Sequence, residues 1–200
     1  MAKPNRRELR RQEVRQSILD AARTIVKKGG IENLNMRAIA KAIKYSPSGL
    51  YGYFDSKQAL IEAIATQGYE RLAEYLLAVE KTPQLEKYLT ELGLAYVTFA
   101  RENPDYYVIM FTTVPSTEAV LEIRAEGSVF DFLLRTIEEA VNTGVFRTHP
   151  NFGVRQMTYA TWAHVHGIAM LQVTFLSNPD ILSDLHDRAA IEAFFRGLTI

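Results

Sequence analysis

Two hundred residues with 48% hydrophobic and 23% charged side chains, 11 glycines and 7 prolines are globular proportions that exclude a collagen-like, low-complexity or wholly disordered chain. Zero cysteines remove disulfides, thiolate metal sites and cysteine nucleophiles, and they suit a reducing cytoplasm. The formal net charge is +0, but residues 1–54 hold 12 Lys/Arg against 4 acids, a net of +8, and the remainder holds 11 against 19, a net of −8.

That partition describes a basic module suited to a polyanion, joined to an acidic module with another task. The basic start, MAKPNRRELRRQ, is not followed by the apolar stretch of a secretory signal, so nothing in it directs export. Helical periodicity dominates thereafter. From Arg6 to Lys28, Val14, Ile18, Ala22, Ile25 and Val26 repeat on one helical face, and Gly29-Gly30 supplies the stop. Asn35 is placed to cap a short helix over 36–43. Lys44-Tyr45 makes a turn, and Ser46 with Pro47 opens a third helix carrying Ser48 to Phe54. Asp55-Ser56 restarts the pattern for a long helix to about Lys81. Thr82-Pro83 opens another that ends near Arg101, and Asn103-Pro104 precedes a short apolar helix at Tyr106–Phe111. Helices from Pro115-Ser116 to about Gly144, from the Arg147–Asn151 turn to about Ser177, and from about Ser183 to Gly197 complete the chain. About nine helices result, with no repeat. The uncharged run Met157–Asn178 is long enough to span a bilayer, yet it holds His164, His166, Gly167 and Gln172, so burial from two sides is the simpler reading and no membrane partner is expected.

Two short helices separated by a tight turn, inside the basic segment, form a helix-turn-helix arrangement whose second helix enters the major groove. The run Asn35-Met36-Arg37-x-Ile39-Ala40-x-Ala42, then Tyr45-Ser46, then Leu50-Tyr51-x-Tyr53-Phe54-x-Ser56-Lys57-x-x-Leu60 resembles the TetR family of transcriptional repressors. Asn103-Pro104-Asp105-Tyr106-Tyr107 and Trp162-x-x-x-His166-Gly167 resemble the bodies of a subgroup named for its Trp-His-Gly residues. The resemblance implies an all-α chain with a three-helix DNA-binding head, residues 1–54, and a helical ligand-binding and dimerisation bundle, residues 55–200. It further implies a cytoplasmic homodimer on a palindromic operator in double-stranded DNA, with the last two long helices of each subunit at the interface. A small-molecule effector would release it by shifting the sixth helix, tilting the long helix from Ser56 and changing the separation of the recognition helices.

Two departures bear on contacts. The family turn commonly reads Ala-Gly-Val-Ser, whereas Ile43-Lys44-Tyr45-Ser46 puts a lysine where glycine is conformationally at ease. Gly-Thr commonly precedes Leu-Tyr, whereas Ser48-Gly49 leaves Ser48 or a backbone N–H to replace a phosphate-binding hydroxyl. Leu50, Phe54, Ile39 and Ala40 are expected in the core. Tyr51, Tyr53 and Lys57 are phosphate-contact candidates, and Arg37, Lys44, Tyr45 and Ser48 are candidates for base readout, with Pro47 against a thymine methyl. Ser46 caps the recognition helix at the same surface. The arginines between Arg6 and Arg15 suit an arm that follows the backbone or minor groove.

Trp162, His166 and Met170 recur every four residues, as a core face or, together with Tyr107, Met110 and Phe111, as the border of an effector cavity. Gly167 is expected to serve close helix packing. The four histidines have no metal-ligand spacing, so neither a metal nor a cofactor is expected. No phosphate-binding glycine loop, His-Glu-x-x-His or Gly-x-Ser-x-Gly motif is present, which disfavours an enzyme. A His166–Asp105 pair is the one acid–base combination considered. Against the repressor stand an all-helical carrier or enzyme whose basic head is only a solvated surface, and a ligand-free dimeric scaffold.

Overall fold

The computed structural model describes residues 5–113, 125–174 and 184–199. Nine α-helices and a 3-10 turn, Ile31–Asn33, form the described chain, and no strand occurs there apart from a single bridge between His149 and Phe152. Two compact units divide it: Met1–Gly68 with Asp105–Pro115, and Tyr69–Pro104 with Ser116–Ile200.

In the first unit, α1 (Arg6–Gly29) ends where Gly30, at φ +82°, takes a conformation that a side chain would resist. The helices α2 (Met36–Ala42) and α3 (Pro47–Leu50) begin at the expected caps: Asn35 Oδ1 accepts from Ala38 N at 2.9 Å and Ser46 Oγ from Gly49 N at 3.1 Å. α3 is a single turn and does not continue as a helix to Phe54. Gly52 offers it no side-chain packing, and the chain turns through Tyr51–Tyr53 while Phe54 N still reaches Leu50 O at 3.0 Å. Ile18, Leu19 and Ala22 of α1 bury with Leu34, Ile39, Ala40, Leu50 and Phe54. Each apolar face thus covers the others, an area effect that dominates folding free energy.

The same unit takes in the start of α4 (Lys57–Leu77) and α6 (Pro104–Thr112). α4 opens on Ser56, whose Oγ accepts from Ala59 N at 3.0 Å, and ends before Lys81, which instead pairs with Glu139 at 2.7 Å. α6 packs closely. A Cβ on Gly68 would come within 2.9 Å of Met110 Cγ. Arg23 Nε donates to Asp105 Oδ2 at 2.7 Å, and its guanidinium lies 3.7 Å from the centre of the Tyr106 ring. A buried carboxylate needs such a partner, because its charge has lost water.

The second unit is built around α5 (Leu85–Glu102), which buries ten of its residues. α7 (Val129–Asn142), α8 (Val154–Thr174) and α9 (Asp184–Arg196) complete it. The helix expected to run unbroken from Pro115-Ser116 to about Gly144 is broken at 125–128, and α7 begins at Val129. Gly127 sits at φ +81° and Ser128 Oγ accepts from Asp131 N at 3.1 Å, which resets the helix; the earlier start lies outside the described residues. The expected limits at Ser177 and Ser183 also lie outside them.

Gly93 lets three helices meet: a Cβ there would stand 3.2 Å from Ile191 and Val165 side chains. Phe146 stacks on Phe195 at 5.9 Å. Buried Asp187 accepts from Gln172 Nε2 at 3.0 Å, and Arg188 grips Glu91 at 2.8 and 3.2 Å, holding that carboxyl below its usual range through the hydrogen bond. Gly167 does not serve close packing within the chain, since a Cβ there would meet open space. Among the described residues no helix is long and apolar enough to cross a membrane.

Candidate nucleic-acid interface

The candidate surface begins with the backbone. Lys44 is the one non-glycine residue at positive φ among those described, +57°, and this lets Tyr45 N return to Ala40 O at 2.9 Å and close the turn. The close crossing of α2 and α3 uses Ala40, which is fully buried. Ser46 spends its hydroxyl on the α3 cap and sits 3.2 Å from Ser48 Oγ, so Ser48 is the freer hydroxyl of the pair. At Gly49 a Cβ would lie 3.1 Å from Ser46 Oγ and 3.5 Å from the Tyr45 ring, a physical reason for glycine at this position.

Arg37, Lys44, Tyr45, Ser46, Pro47, Ser48, Tyr51 and Lys57 are exposed, and Gly49 and Tyr53 are half-buried. Tyr51 keeps 51% of its surface exposed directly beside Leu50, which is fully buried. A large aromatic held outward from so short an element is unusual for packing and suits contact with a partner. Among the described residues, Arg23 is the only cation of residues 5–57 in an ion pair, so the remaining positive charge is uncompensated at this surface.

The six ligand candidates fall in two places. Tyr107 and Met110 are buried in the first unit, with Phe111 half-buried and its ring 4.9 Å from that of Tyr107. Trp162, His166 and Met170 are half-buried in the second unit. There the Trp162 and His166 rings are 5.6 Å apart, Phe130 meets Trp162 edge-on at 6.4 Å, and Tyr96 Oη lies 3.0 Å from His166 Nδ1. Burial pushes the His166 imidazole below its ordinary pKa, favouring the neutral ring. Asp105 is engaged by Arg23 within the first unit and His166 by Tyr96 within the second.

Sequence reasoning missed Tyr96, Phe130, Gly68 and Gly93. It also missed Thr161, whose buried Oγ1 has no hydrogen-bond partner among the described residues. The small residue at 93, one turn from Tyr96, was the available signal. Among the described residues no three His, Asp or Glu side chains are grouped to hold a metal.

Residues 18–64 match the profile of bacterial regulatory proteins of the tetR family, and residues 89–188, half of the chain, match that of tetracyclin repressor-like C-terminal domains. The chain belongs to the TetR family. Its relatives are named as helix-turn-helix transcriptional regulators. The uncharacterized regulator YobS of Bacillus subtilis is 26% identical over 92% of this chain and 91% of its own. UidR of Escherichia coli is 44% identical over 58% of this chain and 53% of its own. A Rhodococcus protein of unknown function superposes at a TM-score of 0.75, with 26% identity, covering 94% of this chain and 96% of its own. The TetR-family regulator PfmR of Thermus thermophilus, at 21% identity and a TM-score of 0.71 over 90% and 98% of the two chains, shares the fold. TetR-family proteins carry an N-terminal helix-turn-helix head, and residues 18–64 of this chain match that part of the family.

Proposed function

We propose that this TetR-family protein is a cytoplasmic homodimeric repressor that docks residues 35–54 of each subunit, with Lys57 beside them, on a palindromic operator and is released by a small-molecule effector. The observation that carries the reading is the outward set Arg37, Lys44, Tyr45, Tyr51 and Lys57 within residues 1–57, which hold 13 Lys/Arg against 5 acids, a net charge of +8. Lys44, Tyr45, Ser46, Pro47, Ser48 and Gly49 stand at the start of α3, where side chains reach base edges, while Tyr51, Tyr53 and Lys57 address phosphates.

The dimer is supported by outward apolar rows. Tyr159, Ala163, Gly167 and Leu171 repeat every four residues along α8, and Leu185, Ala189 and Ala193 along α9; all are exposed. Small residues between large ones let two helix pairs approach closely, and an apolar row of this extent is a liability unless covered. The effector site is assigned to a body of the Trp-His-Gly type, with Trp162, His166 and Met170 at its border and Tyr107, Met110 and Phe111 on the helix that responds. Release requires that the effector favour the conformation unable to place both heads in half-sites about 34–36 Å apart. The protein acts by binding rather than by catalysis.

Tyr51→Ala with Lys57→Ala is expected to weaken binding to the intergenic DNA beside its gene and to flatten the salt dependence while leaving the dimer intact. Unchanged binding in a gel-shift salt series refutes the assignment. Salt-sensitive, sequence-specific binding by the parent protein separates it from a helical carrier or enzyme with a merely solvated head.

A further inference from the structure

The first turns of α1 concentrate positive charge beside the helix-turn-helix. Asn5 Oδ1 accepts from Arg7 N and Glu8 N, each at 3.0 Å, and Glu8 Oε2 accepts from Asn5 N at 2.8 Å. This reciprocal cap starts the helix at Arg6, where the periodicity from Arg6 to Lys28 places it, and turns the one acid of the first turn back onto the helix start. Arg7, Arg10 and Arg11, three and four residues apart, therefore share a face. They line an open groove whose other wall is Tyr45, Gly52 and Tyr53.

The arginines divide by what they touch. Arg11 Nη2 donates to Gly52 O at 3.3 Å and ties α1 to the segment after α3. Arg15 lies over the Phe54 ring at 4.8 Å. Arg7 and Arg10 are exposed and make no ion pair among the described residues, so their charge is available. Arg7 and Arg10 stand about 4.5 Å apart along the helix axis, and their long side chains can spread to neighbouring phosphates of a strand that advances about 3.4 Å per nucleotide along the duplex.

We propose that this groove clamps the phosphodiester backbone of duplex DNA beside the bases read by α3, with Arg7 and Arg10 as phosphate ligands. The Tyr45 and Tyr53 hydroxyls are further donors to that strand, and Arg11 is a positioning residue for the groove wall. The clamp rests on the DNA-binding reading of residues 35–54 and extends it to a sequence-independent grip, because phosphate contacts set affinity and register without reading bases. Its contribution is electrostatic and appears as counterion release.

The test uses the full-length protein and a fluorescein-labelled 30-base-pair duplex of arbitrary sequence, titrated by anisotropy between 50 and 200 mM NaCl. Arg7→Gln with Arg10→Gln is expected to lower the slope of log affinity against log salt by about 0.9 per arginine, and to weaken binding roughly ten-fold per arginine near 0.1 M salt. Lys27→Gln with Lys28→Gln removes the same charge from the far end of α1 and is expected to leave the slope unchanged. Circular dichroism on both double variants reads the fold directly. An unaltered slope in the arginine variant, with parent protein that binds in a salt-dependent way, overturns the clamp alone. An equal loss in both variants also overturns it, since net charge then suffices. Failure of the parent protein to bind duplex DNA at 50 mM salt overturns the DNA-binding reading and the clamp together.

Discussion

Replacing Asp105 by alanine strips the Arg23 guanidinium of a carboxylate held at 2.7 Å, in a site where the Asp105 side chain is 7% exposed and that of Arg23 26%. Breaking a fully buried pair costs about 3–5 kcal/mol, chiefly because the remaining charge is stranded. Arg23 is not fully stranded. A quarter of its side chain meets water, which screens the charge, the Asp20 carboxylate stays 3.5 Å from its Nη1, and the Tyr106 ring face at 3.7 Å remains. A cation over an aromatic face retains about 0.5–2 kcal/mol. The expected loss for Asp105→Ala is therefore about 2–3 kcal/mol, and for Asp105→Asn, which keeps an accepting oxygen, about 1–2 kcal/mol. Urea unfolding followed by far-ultraviolet circular dichroism gives the difference directly. A double-mutant cycle with Arg23→Met isolates the pair, and Arg23→Met with Asp105→Leu is expected to recover most of the loss, because apolar replacements leave neither charge unpaired. A loss below about 0.5 kcal/mol for Asp105→Ala, or a coupling energy indistinguishable from zero, refutes the reasoning.

Burial lowers the His166 pKa, so between that depressed value and about 6.5 the unfolded chain binds a proton that the folded chain does not. Stability should be level above about pH 7, fall as pH drops through that window and level again below it. His166→Gln should remove this component from melting temperatures taken at pH 7.5 and 5.5. At Lys44, whose φ is +57°, Lys44→Val should cost roughly 2 kcal/mol while Lys44→Gly should be neutral or slightly stabilising, as measured by urea midpoints. Gly93→Val should destabilise by about 2 kcal/mol through overpacking against Ile191 and Val165, seen as a lower thermal midpoint, whereas Gly167→Val should leave the fold of the single chain intact.

Local chemistry was legible in the sequence, and partnership across the chain was not. Asn35, Ser46 with Pro47, and Gly29-Gly30 announce helix ends because capping involves residues within about four positions of each other. The strain at Lys44 was visible once its position was set beside the glycine common in the family. The end of α3 after Leu50 was obscured, because Leu50 and Phe54 keep helical spacing while the intervening backbone turns. The start of α7 at Val129 was hidden by an apolar periodicity that continues on both sides of Gly127. At the interface, outward aromatics could be inferred because Leu50 and Phe54 already occupy the core face. The Tyr96–His166 contact joins residues 70 positions apart, and the Arg23–Asp105 pair residues 82 apart. Such separations carry no periodic signature, since they are determined by how helices pack after they form.

The placement of α6 has a practical corollary for exchanging heads between regulators. A chimera that takes only residues up to Gly68 from this protein would carry Arg23 and Gly68 without Asp105, Tyr106 and Met110, their partners on α6. The graft would then depend on whether the acceptor's own sixth helix happens to present an acid and a slender side chain at matching positions. A transplant that also brings Asp105–Thr113 keeps those contacts in one parental set, so the recombination boundary belongs in two places along the gene rather than one.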